Sequence, residues 1–148
     1  MHGKSPSRFF SKAEEARIVA AIQAAEQETS GEIRIHLLRS DQGDLLNYAQ
    51  QLLEKLGITR TRDRNGVLFL MELKSQRFAV VGDRGIHEKV GQEFWDSIRD
   101  RVLERFRHGE FEQGLIEGIQ ACGDKMKEFF PLQADDENEL TNQITESS

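Results

Sequence analysis

A single cysteine, Cys122, leaves this 148-residue chain without an intramolecular disulfide and without a zinc site built on paired thiolates. No stretch approaches the roughly 18 apolar residues that a membrane-spanning helix needs. There is no basic excess either: 20 Lys and Arg face 26 Asp and Glu, a formal charge of −6. Such a balance offers no broad positive field to nucleic acid. The signatures G-x-x-x-x-G-K-[ST], G-x-G-x-x-G, H-E-x-x-H and G-x-S-x-G are all missing, which removes the commonest nucleotide, zincin and serine-hydrolase classes. The histidines, at positions 2, 36, 87 and 108, fall at no metal-ligand spacing. Residues 1–10 hold no apolar run of signal-peptide length, and with the free thiol this gives the expectation of a cytoplasmic protein with no membrane segment.

What is present fits one domain. The hydrophobic fraction is 37%, enough for a real core at this length. The negative charge is concentrated at the C-terminal end, where Asp135, Asp136, Glu137, Glu139 and Glu146 meet no Lys or Arg. The rest of the chain is close to neutral. Residues 9–131 read as the folded body and 132–148 as an acidic tail too poor in apolar groups to offset the entropy of ordering. Disorder is the expectation there, with docking of a short Leu140/Ile144 turn as the alternative.

Along the body, Ser11 and Glu14 form an S-x-x-E capping box ahead of Ile18, Ile22, Ala25 and Thr29 at helical spacing, with Gly31 as the stop. Residues 32–38 alternate Ile33, Ile35 and Leu37 against Glu32, Arg34 and His36, a strand with one apolar face. A helix over about 44–56 follows. Residues 66–73 are almost wholly apolar and read as a central strand, and 77–81 return as its hairpin partner. Two helices close the body, 91–107 with Trp95, Ile98, Val102 and Phe106 on one face, and 111–129 with Cys122 on its apolar stripe. Trp95 and Cys122 read as packing residues, and His36 as a surface or satisfied histidine.

The connections orient the sheet. A helical crossover makes the first two strands parallel, and a tight turn makes the second and third antiparallel. Glu32, the 63–65 loop and Asp83-Arg84 therefore gather at one end. Glu32, Asp63, Asn65, Asp83 and Glu88 offer hard oxygen donors of the kind that hold Ca²⁺ or Mg²⁺. A helix starting after Gly85 would aim its free N–H groups at the same end, and Arg64 and Arg84 would add donors for an anion. The same residues also suit structural work: Asp83 as a helix cap, Asp63 and Asn65 as turn formers, the arginines in surface ion pairs. The run Thr61 to Gly66 followed by Glu72 mimics an EF-hand loop, but Thr61 stands where its first carboxylate belongs and Gly66 opens a strand.

Taken in order, Ser30-Gly31-Glu32-Ile33-Arg34, Asn65-Gly66-Val67-Leu68-Phe69-Leu70, Val81-Gly82-Asp83-Arg84-Gly85-Ile86 and Phe106-Arg107-His108-Gly109-Glu110-Phe111 make the chain resemble the TPM-domain family in its short standalone bacterial form. The resemblance implies an α/β/α sandwich with a small mixed sheet, a parallel crossover pair plus an antiparallel hairpin, and helices on both faces. It implies divalent-metal binding in the loops at one end of the sheet. Phosphatase activity is ascribed to some plant members. Glu32 matches the family's first carboxylate. Arg64 stands where an acidic residue commonly precedes N-G-V-L, with Asp63 beside it, and His87 replaces a later acidic residue, with Glu88 next to it. The functional expectation is a Ca- or Mg-binding or other ligand-binding module. A weak metal-dependent phosphatase and a protein-interaction domain without ligand are the alternatives.

Overall fold

The computed structural model describes residues 9–40, 43–133 and 144–147. Helix α1 (Lys12–Glu26) opens on the reciprocal capping box: Ser11 Oγ accepts from the Glu14 N–H, and the Glu14 carboxylate accepts from the Ser11 N–H. Ile18 and Ile22 lie fully buried. The helix stops at Glu26, short of the glycine that the sequence suggests. Thr29 leaves the helical stripe and donates its hydroxyl to the carbonyls of Met126 and Phe130 instead, while Ser30 N–H also bonds Phe130 O. Contacts with a helix about a hundred residues away decide where this one ends.

Strand β1 (Glu32–Leu38) pairs parallel with β2 (Gly66–Glu72), Glu32 opposite Gly66 and Leu38 opposite Glu72. Helix α2 (Leu45–Lys55), capped by the Asp44 side chain on Asn47 N–H, makes the crossover. Strand β3 (Arg77–Gly82) folds back antiparallel on β2, Val67 opposite Gly82. Glu72, buried at the end of β2, accepts from Ser75 N–H and Arg77 Nε, so it shapes the turn. The predicted α/β architecture, a mixed sheet with helices on both faces, is what the chain adopts.

The pleat sorts two apolar layers. Ile33, Ile35, Leu37, Val67, Phe69, Met71, Phe78 and Val80 face α1 and the last two helices. Leu38, Leu68, Leu70, Ala79 and Val81 face α2 and the short 3₁₀ turn Ile58–Arg60. β2 is buried on both sides, as its continuous apolar run requires.

Helix α3 (Arg84–Arg107) begins seven residues before the position suggested by periodicity, on an Asp83 cap. Gly91 is a break inside it, with φ at 77°. That conformation costs glycine little and a side chain more. Helix α4 (Phe111–Phe129) keeps the predicted bounds and buries Leu115, Ile119, Cys122 and Met126. Burial pushes the Cys122 thiol up to about 12, which makes it an inert core group. Among the described residues no helix is long and apolar enough to cross a membrane.

Two departures concern the acidic tail and the first strand. Ile144–Ser147 form a fourth strand, β4, parallel to β1 over Ile35–Leu38, giving the order β3-β2-β1-β4. Disorder was the expectation for this stretch, with docking of a Leu140/Ile144 turn as the alternative; Ile144 does dock, but in a strand. Leu140 and its neighbours lie outside the described residues. The alternation of β1 reads as a strand with one apolar face, yet all seven residues are buried, and His36 is the satisfied histidine of the two readings given for it. His36 shows why: its Nδ1 meets Thr145 Oγ1 at 2.8 Å and its Nε2 meets Ser147 Oγ at 2.6 Å. Burial lowers the imidazole to about 4, helped by the Arg34 charge, so it stays neutral and satisfied at pH 7.

Candidate functional site

The starts of β1 and β2 and the end of β3 do converge, and the glycines show how closely. A Cβ on Gly85 would fall far inside contact with the Asp63 carbonyl oxygen and close to that of Arg64. One on Gly31 would crowd the Asn65 carbonyl. The loop before β2 is thus clamped between the entry to β1 and the first turn of α3. Thr61 shapes it from within, its hydroxyl accepting Asn65 N–H and its carbonyl accepting Arg64 N–H.

Arg64 is the centre of this end. Its backbone is left-handed, φ 51°, an unfavourable setting for a residue with a Cβ that tertiary bonds must stabilise. Its carbonyl accepts the N–H groups of both Gly85 and Ile86. Its guanidinium grips Asp83 in a fork, Nε–Oδ2 at 2.6 Å and Nη2–Oδ1 at 2.9 Å. Asp83 Oδ1 also accepts the Arg84 N–H, as the helix cap. The hydrogen bond to Asp83 raises the Arg64 pKa above its usual value.

Most of the anion donors suggested by the sequence already have partners in this arrangement. The first N–H groups of α3 already have acceptors, Asp83 and the Arg64 carbonyl, and the Arg64 fork already holds a carboxylate. Arg84 alone keeps an exposed guanidinium, with no ion pair among the described residues.

The oxygen donors are brought together unequally. Ser30 links two of them: Asn65 Nδ2 donates to Ser30 Oγ at 3.1 Å, and Ser30 Oγ donates to Asp63 Oδ2 at 3.4 Å. Arg62 reaches the same Asp63 oxygen at 3.4 Å. Asn65 is 1% exposed, and its Oδ1 is buried with no hydrogen-bond partner, a position that costs free energy unless something occupies it. Glu32 is buried at the start of β1, opposite Gly66. Glu88 is exposed on α3 and stands apart in role from these loops. Among the described residues no three His, Cys, Asp or Glu side chains are placed together as ligands. With Arg64 on Asp83, that carboxylate already has a positive partner.

Sequence reasoning missed a second feature at this end. A cavity of about 280 Å³ runs from Asp83, Arg84 and His87 along β3, walled by Leu46, Gln50 and Leu53 of α2 and by Gln92 and Trp95 of α3. Trp95 is buried, as expected of a packing residue, but its Nε1 donates to His87 Nδ1 at 3.0 Å and its ring lies where a Cβ on Gly82 would be. Leu46, beside the buried stripe of α2 and itself exposed over the cavity, carries no mark in the sequence that sets it apart.

Such an α/β/α domain, with its loops gathered at one end of a short mixed sheet, defines a class by fold and not by chemistry. Residues 4–125 match the TPM domain, and the chain belongs to that family. It is similar to the BA42 protein of the psychrophilic bacterium Bizionia argentinensis, solved by NMR, with 37% identity, a TM-score of 0.88, and coverage of 95% of this chain and 97% of that one. The N-terminal domain of a P. gingivalis protein shares the fold at 22% identity and a TM-score of 0.68, covering 82% of this chain and 79% of that one. The N-terminal domain of cg2496 from Corynebacterium glutamicum does so at 17% and 0.61, covering 79% and 74%. No curated protein matches.

Proposed function

We propose that this chain is a ligand-binding module, with its binding end at residues 30–32, 61–65 and 83–84 and a divalent cation, Ca²⁺ or Mg²⁺, as the ligand its oxygen donors suit. The observation that carries this reading is Asn65 Oδ1: a buried acceptor without a donor, bonded through Ser30 to the partly exposed Asp63 carboxylate. A cation there would satisfy Asn65 and compete with Arg64 for Asp83. Arg64 is then a built-in competitor, and affinity is set by the exchange of one positive partner for another.

The test is a titration of the full chain with CaCl₂ and MgCl₂ followed by amide shifts. Saturable perturbation should centre on residues 30–34, 61–66 and 82–88. Arg64→Ala should tighten binding by roughly tenfold, because Asp83 is released, a change of about 1.4 kcal/mol. Asp63→Asn should weaken it. Silence at those amides in millimolar metal, in both the native chain and Arg64→Ala, rejects the cation.

Nothing in this geometry favours turnover. A metal-assisted phosphatase needs free donors for the phosphoryl oxygens, and the α3 N–H groups and Arg64 are engaged. Hydrolysis of p-nitrophenyl phosphate with either metal is expected to stay at the buffer blank.

A further inference from the structure

We infer that the outer edge of β3 is a strand-addition site for an extended segment of a partner protein, with an acidic side chain of that segment pairing with Arg84. The inference stands on the edge and its walls and does not depend on a cation at the loop end.

The backbone comes first. Asp83 N–H donates to Gly66 O at 2.9 Å, which fixes the antiparallel phase. By alternation Arg77, Ala79 and Val81 exchange hydrogen bonds with β2, while Phe78, Val80 and Gly82 turn their N–H and C=O groups outward. No strand lies beyond them among the described residues. Folded proteins usually blunt such an edge with proline, a bulge or an inward charge. The stretch Phe78–Gly82 has none of these; its cover comes from α2 and α3, and Phe78 to Val81 lie only 4–6% exposed along the floor of the groove between the two helices.

The walls then select the occupant. The 280 Å³ cavity is joined along β3 by a hollow of about 90 Å³, both touching Leu46, Val80, Gln92 and Trp95. Leu46 is 43% exposed over this groove. Helix α2 stands on one side of the edge and α3 on the other. Only an extended backbone satisfies alternating outward N–H and C=O groups, so a helix is a poor fit. A second copy would bring its own α2 and α3 against these walls before the two β3 edges could pair. A single peptide strand, about 4.8 Å from β3, meets neither obstacle. At the mouth of the groove Asp83 is neutralised by Arg64, whereas Arg84 is exposed and unpaired among the described residues, which calls for a carboxylate.

The test is selection of a random octapeptide phage library on the full chain, followed by titration of the enriched peptides. Winners are expected to be β-branched segments with an acidic residue near one end, and to shift the amides of Phe78, Val80 and Gly82 and the Trp95 indole. Leu46→Glu should weaken them at least tenfold with the near-ultraviolet spectrum unchanged. Arg84→Glu should weaken them about fivefold, and a Lys in place of the peptide's acidic residue should restore that loss. N-methylation of alternate peptide amides should abolish binding. No enrichment, binding insensitive to Leu46→Glu and to N-methylation, or shifts that map to the β1 side would each overturn the proposal.

Discussion

The two edges of the sheet are treated in opposite ways. At β1 the chain closes its own edge: Glu26 Oε2 accepts the Ile33 N–H at 2.7 Å, and beyond that point β4 covers Ile35–Leu38, with Arg39 N–H bonded to Ser147 O. At β3 nothing described pairs with Phe78–Gly82, although this strand is the longer and more apolar of the two outer strands. An unpaired edge invites association. One edge is covered by a strand, residues 144–147, and the other by two helices that leave its backbone groups unpaired at the floor of a groove.

Removing residues 134–148 should sharpen this contrast most. The cut uncovers the β1 edge, the His36 ring and the contact made by Ile144. A loss of about 2–4 kcal/mol is expected from the apolar burial and the few ladder bonds, read by denaturant unfolding. Light scattering should show concentration-dependent association through the bared edge. Peptide binding at β3 should persist, and its loss would break the comparison.

Asp83→Ala acts on the end where the groove meets the loops. It removes the α3 cap and leaves the Arg64 fork without its carboxylate, an expected cost of about 1–2 kcal/mol in thermal unfolding. Since Asp83 is 4% exposed, an unchanged melting temperature would show that the fork contributes nothing.

The pH dependence is specific to the closed edge. In the unfolded chain His36 takes up its proton near pH 6.5, whereas in the folded chain it stays neutral down to about 4. Between those values the unfolded state binds more protons, so stability falls as pH falls, and this contribution is fully present above about 6.5. A melting series from pH 7 to pH 4.5 should show the decline, and the 134–148 deletion should flatten it. The smallest effect is expected at the open edge: Leu46→Ser should change stability by less than about 0.5 kcal/mol, while weakening the strand ligand.

Legibility in the sequence followed the range of the interactions. The bounds of β1 and α4 agree with their periodicity because each has a continuous apolar pattern. The Ser11–Glu14 box is contained in four residues and formed as read. Thr29, by contrast, sits at helical spacing but is captured by the end of α4. β4 holds one apolar residue in four, and its partner groups lie on β1 about 109 residues away. No local rule could have placed it. The site divides the same way. Convergence of Glu32, the 63–65 loop and Asp83 followed from strand directions alone. Which of them were free did not, because the Arg64–Asp83 fork and the two helix N–H bonds to the Arg64 carbonyl depend on side-chain and loop positions set by packing on Gly85.

The sequence by itself determined a mixed α/β fold and identified the end of the sheet at which polar groups gather. Periodicity, capping pairs and connection length are local, and they act before the chain is packed. Tertiary structure decided that Arg64 neutralises Asp83, that Asn65 is left with an unanswered oxygen, that His36 binds the tail, and that one edge is paired with a strand while the other, among the described residues, is left unpaired between two helices. Those outcomes rest on contacts between distant segments, where geometry at the scale of a hydrogen bond, and not composition, selects the partner.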